Sequence, residues 1–257
     1  ANLAVAIRLA EVAPSLEAAP GQLFSSGDLP GTRTLVSAAT FNLLTPAQLR
    51  AAYDVLLFGV DADASVNADW ATRLRPYLAL GGGVLFESAN NTGDLAPAVT
   101  ANFGNYGTSG VSLPLLAVPN LTNGVTSDFE NSHIVFTNWT DSLAHFIVHG
   151  DTALGLYGRF GGGCIVLTGP DQAFHGDRAG TARAINLYTF LLKEVRFAAD
   201  CPLNGTPGTP VSVRVFPKSV SFTSGGQNAQ RRATALDDVG TPVPGAPITW
   251  FVGMVAV

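Results

Sequence analysis

Short apolar runs alternate with stretches of helical spacing along residues 1–200. Strand-like segments at 3–9, 34–38 and 53–60 are separated by helix-like ones, which predicts an α/β domain with a largely parallel sheet. Residues 53–60 are nearly all apolar, as a strand covered on both faces requires. Thr45-Pro46-Ala47-Gln48 combines an N-cap, a proline at the first helical position and a glutamine at the third, and so starts a helix. Residues 67–80 place Trp70, Leu74, Tyr77 and Leu78 at helical spacing. Pro76 predicts a kink there, and Gly81-Gly82-Gly83 ends the helix before a strand at 84–86.

Residues 90–132 carry no long periodic segment and read as loops and short strands over one end of the sheet. Strands follow at 134–137, 144–148, 153–159 and 164–168. A closing helix at 181–197 sets Ala184, Leu187, Tyr188, Leu191 and Leu192 on one face. Residues 201–210 are a turn-rich linker, and beyond it the pattern turns to β alternation, with Val211, Val213 and Val215 on one face. The expected division is therefore 1–200, a linker, and a β region at 211–257.

Composition narrows the function classes. Only 13% of the 257 residues are charged, about half the usual share, so the surface is mostly neutral. A net charge of −5 and only two lysines, Lys193 and Lys218, argue against nucleic-acid binding, which needs clustered cations. No apolar run approaches the 18 residues of a membrane helix, so no membrane span is expected. Starting at Ala1 directly on a strand-like segment is what removal of a signal peptide would leave, so a secreted or cell-surface location is expected. Cys164 and Cys201 would form one disulfide in such a protein, the alternative being two buried thiols.

The β region resembles a bacterial immunoglobulin-like (Big) domain. The resemblance rests on 211–217 (Val-Ser-Val-Arg-Val-Phe-Pro), the Gly225-Gly226 turn, 233–240 and 242–250, which ends Pro-Ile-Thr-Trp. It implies a spacer or assembly module, although about 50 residues cannot complete a sandwich of roughly 100. Either more sequence follows Val257 or another chain supplies the missing strands. The first region is similar to the flavodoxin-like sheets of the class I glutamine amidotransferase-like superfamily. That similarity rests on 45–59, on 74–88 (Leu-Arg-Pro-Tyr-Leu-Ala-Leu-Gly-Gly-Gly-Val-Leu-Phe-Glu-Ser) and on 161–169 with the helix after it. It implies helices on both faces of the sheet. Active members carry a cysteine after a central strand and a His-x-Glu pair after a later one. Glu87-Ser88-Ala89-Asn90 and Gly169-Pro170-Asp171-Gln172 stand there instead, so the amidotransferase set is absent.

Other chemistry has weaker support. Ser88, Asp171 and His175 could gather at the carboxyl ends of the strands as a hydrolytic set, but no G-x-S-x-G elbow surrounds Ser88. His145 and His149, four apart on a strand, could share a metal with Asp151, and Asp61 with Asp63 could suit calcium. Asp69 reads better as a first-turn helix charge. The Asn-x-Thr triplets at Asn90, Asn120, Asn138 and Asn204 could accept glycans. Neither glycine tract precedes a helix, so no nucleotide cradle and no cofactor is expected.

The expectation is a non-enzymatic, exported bacterial structural or adhesive protein. It would be a filament or surface-assembly component, self-associating through Val211, Val213, Val215, Ile248, Trp250 and Val252. The alternatives are a secreted hydrolase or carbohydrate-binding protein using the carboxyl-end cleft, and a phage or virion structural protein.

Overall fold

The computed structural model describes residues 5–13, 18–59, 65–87, 99–103, 111–129, 132, 134–150, 152–222, 224 and 226–250. It opens with β1 (Ile7–Val12), α1 (Ala19–Ser25), β2 (Gly31–Val36), α2 (Ala38–Leu43), α3 (Pro46–Ala52) and β3 (Val55–Phe58). Two short helices start on capping side chains. Ser37 Oγ accepts the Thr40 N–H at 3.2 Å for α2, and Thr45 and Gln48 form the expected capping box for α3. α1 and α2 are additions to the sequence reading, because six or seven residues hold too few apolar positions to show a period.

A π-helical turn, Trp70–Leu74, runs into α4 (Arg75–Ala79). Pro76 cannot donate a backbone hydrogen bond, and the widened turn lies immediately before it, so the expected kink takes this form. Asp69 caps the turn, accepting from Thr72 N at 2.7 Å. The chain continues through β4 (Gly83–Glu87), β5 (Val99–Phe103), β6 (Val111–Ser112), β7 (Asp128–Phe129), β8 (Ile134–Trp139), β9 (Leu143–His149), β10 (Thr152–Phe160) and β11 (Gly163–Thr168). It closes with α5 (Gln172–His175), α6 (Ala182–Asp200), β12 (Ser212–Phe216) and β13 (Arg232–Leu236).

A nine-stranded sheet has the order β2-β1-β3-β4-β11-β10-β8-β5, with β9 also paired to β10. Strands β2 to β11 in that order run parallel, and β10, β8 and β5 extend the sheet antiparallel. Helices α1, α5 and α6 cover one face over Leu9, Leu57, Leu85 and Val166. Helices α2, α3 and α4 cover the other over Ala10, Leu56, Phe58, Val84 and Phe86. This is the flavodoxin-like α/β fold the sequence predicts. The glycine tracts meet between α4 and the β10–β11 hairpin: a Cβ on Gly163 would overlap the Gly82 carbonyl oxygen, and one on Gly162 would come 3.0 Å from Gly81 Cα.

The region after Cys201 departs from expectation. Among its described residues, only β12 and β13 are strands, joined antiparallel, and residues 220–222 and 248–250 are not strands. No immunoglobulin-like sandwich is present among them. Pro217, Pro242, Pro244 and Pro247 lack the N–H groups that strands there would need. The hairpin instead packs on the first region, with Phe216 and Leu236 in the two cores. Arg214 donates to the carbonyls of His145 and Ala117, both at 2.7 Å, and Tyr157 Oη donates to the Gly240 carbonyl at 2.8 Å. Arg232 donates to the Trp139 carbonyl and lies over the Trp139 ring.

Candidate functional site

Strands β4 and β11 end side by side, Glu87 opposite Thr168, at the edge where α/β sheets hold their ligands. The arrangement there is a buried polar network. Glu87, Gln172 and Glu194 are fully buried, and Thr168 nearly so. Gln172 Nε2 donates to both carboxyl oxygens of Glu194 at 3.0 Å, and to Thr168 Oγ1 at 3.3 Å. Glu87 Oε2 accepts the Ala173 N–H at 2.7 Å, at the start of α5. Burial pushes the Glu194 carboxyl up to about 8, against the smaller opposing effect of hydrogen bonds with Glu87, Thr168 and Gln172. Glu194 therefore keeps its proton near neutral pH, hydrogen-bonded to Glu87, whose other carboxyl oxygen accepts from the backbone.

This network was missed at the level of sequence, although two signals mark it. Glu87 ends an otherwise apolar strand, and Glu194 falls between Leu191 and Val195 on the buried stripe of α6. Asp171 and His175 lie beside it. Asp171 is 3% exposed and its Oδ2 stands 3.9 Å from His175 Nε2, longer than a hydrogen bond. The His175 ring meets the Phe174 ring edge-on, and Phe174 is exposed. Ser88, the third member of the expected set, lies outside the described residues, as does Asn90. The buried pair can hold a proton but has no opening to solvent. The Asp171–His175 pair is partly open and could orient an imidazole.

The structure separates the proposed metal ligands. His145 is 3% exposed whereas His149 is exposed, and the pairing of β9 with β10 shifts register between them. Burial, then the nearby Arg214, lower the His145 imidazole to about 4, so it is neutral. Asp61, Asp63 and Asp151 lie outside the described residues, among which no group of three metal-ligating side chains occurs. Of the glycan acceptors, Asn138 is exposed and bonded to Arg232, and Asn204 Nδ2 donates to Asp237. Asn120 is exposed, but the Thr122 hydroxyl of its triplet is buried against Val118 N at 2.8 Å.

Cys164 and Cys201 are joined in a disulfide with a Cα–Cα distance of 5.1 Å. It ties the start of β11 to the left-handed residue that caps α6. In the hairpin, Val211 and Val213 are 65% and 51% exposed, Trp250 is also exposed, and Val215 and Ile248 are half-buried. Val252 lies outside the described residues.

No protein-family model and no curated protein matches the chain. Solved structures do. The cytoplasmic protein STM1381 from Salmonella typhimurium LT2 is 13% identical with a TM-score of 0.53, over 75% of this chain and 99% of its own. The cytoplasmic protein STM3548 from Salmonella typhimurium is 12% identical with a TM-score of 0.49, over 75% and 98%. A GMP synthase-like protein from Thermoplasma acidophilum is 11% identical with a TM-score of 0.48, over 74% and 94%. Such likeness concerns the fold alone, the flavodoxin-like α/β arrangement described above. The expectation of an extracellular, secreted or cell-surface protein is corrected here: STM1381 is described as cytoplasmic, and the sequence argument for export rested on the first residue, the neutral surface and the β region after residue 210.

Proposed function

We propose that this chain is a non-catalytic assembly protein, whose amidotransferase-like α/β body presents its C-terminal hairpin to a second copy of the chain. The observation that carries this reading is the division of β12. Arg214 and Phe216 fix the strand to the body, while Val211 and Val213 stand in solvent at 65% and 51% exposure. Among the described residues β13 is the only strand paired with β12, so the other edge of β12 offers backbone groups to a further strand. Pairing of β12 with its own copy would be self-complementary and would cover the valines. Each valine buried in this way contributes on the order of 1.5 kcal/mol. The non-catalytic part rests on the sequence, in which Glu87-Ser88-Ala89-Asn90 and Gly169-Pro170-Asp171-Gln172 stand where active members of the superfamily carry the cysteine and the His-x-Glu pair.

Sedimentation velocity over a range of concentrations tests this reading. The expected result is reversible association of the wild type, lost in Val211→Asp and Val213→Lys without change in melting temperature. A wild type that stays monomeric throughout, or variants that associate equally well, would overturn it. A second reading, a hydrolase or carbohydrate-binding protein at the carboxyl-end cleft, rests on the Asp171–His175 pair. Ester hydrolysis that disappears in His175→Ala would favour it over assembly.

A further inference from the structure

Strands β9 and β12 do not close on each other completely. Between them, and under the segment that follows β12, lies a cavity of about 460 Å³, within the range of small-molecule sites. Its walls are mainly apolar, formed by Pro114, Leu116, Val148 and Phe216, with His145 among them and Lys218 exposed beside it.

Two features make this more than a packing gap. The first is His145, which is 97% removed from solvent and whose Nδ1 has no hydrogen-bond partner among the described residues. A buried polar atom left unpaired is destabilising, and native structures rarely keep one without a use. The ring is fixed by its neighbours, 5.1 Å from Phe216 and 6.1 Å from Trp139 between centroids. As a neutral imidazole it offers one donor and one acceptor. The second feature is charge. No acidic residue occurs among the described residues lining the cavity, and Lys218 is one of the two lysines in the chain. Arg214 adds a further positive charge on the adjoining strand position, bonded to the His145 carbonyl.

The geometry points to a binding site for a small organic carboxylate with an apolar, ring-sized body, the body lying against Leu116, Val148 and Phe216 and the carboxylate directed to Lys218, within reach of the His145 ring. A cation would meet Lys218 with no acid to offset it, and a fully polar ligand would leave the apolar walls dry. The site is independent of the proposed assembly, because Val211 and Val213 do not line it.

The test uses the full chain and three probes of one shape: 3-phenylpropionate, 3-phenylpropionamide and 3-phenylpropylamine. Binding is read from ¹H–¹⁵N chemical shifts at the amides of Leu116, Val148 and Phe216. The expected result is saturable binding of the acid at those amides, with the amide and the amine weaker by about tenfold or more, as loss of a charge-assisted hydrogen bond would give. Lys218→Glu, an exposed change, should weaken the acid by a similar factor and leave melting unaltered. Val148→Trp, which fills the cavity, should remove binding of acid and amide together. Absence of saturable shifts with all three probes, an amine that binds as well as the acid, or acid binding unchanged in Lys218→Glu would each overturn the proposal.

Discussion

Replacing Glu194 with glutamine isolates the proton held in the buried carboxyl pair. Glutamine keeps the shape of a protonated carboxyl: its Nε2 can donate toward Glu87, as the acid does, and its Oε1 can accept from Gln172 Nε2, now 3.0 Å from the Glu194 oxygens. What changes is the titration. In the unfolded chain Glu194 loses its proton near 4.5, and in the folded protein burial holds it to about 8. Between those values the native state binds a proton that the unfolded state has released. The carboxyl's contribution to stability is therefore whole below about 4.5, declines as the pH rises, and is lost above about 8. Each pH unit in the window amounts to about 1.4 kcal/mol, so from pH 5 to pH 7.5 the wild type should lose about 3 kcal/mol through this group. The Glu194→Gln variant should not lose it. Urea unfolding of both proteins at the two pH values measures the difference for the pair, because titrating groups outside the Glu87–Glu194 contact cancel between them. A gap between wild type and variant that is the same at both values would mean that Glu194 is ionised in the native protein, and would refute the proton assignment.

Other expectations concern the seams of the molecule. The disulfide spans a sequence separation of 37 and, in the chain-entropy model, should contribute about 4 kcal/mol. Paired serine substitution at Cys164 and Cys201, compared with the wild type by denaturant unfolding with and without reductant, checks the figure; no sensitivity to reductant would contradict the bond. Phe216 is 9% exposed and holds the hairpin to the body, so Phe216→Ala should destabilise by about 3 kcal/mol. Limited proteolysis should then cut the variant between Cys201 and Ser212 well before its melting transition, and uniform resistance would show that the hairpin is held mainly by its arginines.

Much of the fold is legible along the chain because it rests on local signals. The apolar run at Val55–Phe58, the capping box at Thr45 and the apolar face of α6 are set by neighbours a few residues away. The pairing of Cys164 with Cys201 follows from there being two cysteines. Short helices such as α1 and α2 escape this reading, because they are stabilised by the sheet they cover more than by their own pattern.

The site and the docking of the C-terminal region depend on contacts between distant residues. Glu87 and Glu194 are far apart in sequence and meet only because α6 crosses behind the ends of β4 and β11. Parity along β9 puts His145 and His149 on one side, yet the register shifts against β10 and the arrival of β12 bury the first and leave the second in solvent. The glycine tracts read locally as a helix stop and a hairpin turn, whereas the folded chain presses Gly163 against Gly82 so closely that a side chain would not fit. A β pattern alone suggests a sandwich after residue 210, but it carries no information about the partner for its apolar positions. Phe216 and Leu236 found theirs in the sheet of the first region, because that surface offered both apolar area and carbonyl acceptors for Arg214. Local pattern determines which elements form, since the interactions that select them lie within a turn or a strand. Burial of each remaining polar or apolar group is decided by whichever distant surface the folded chain brings to it.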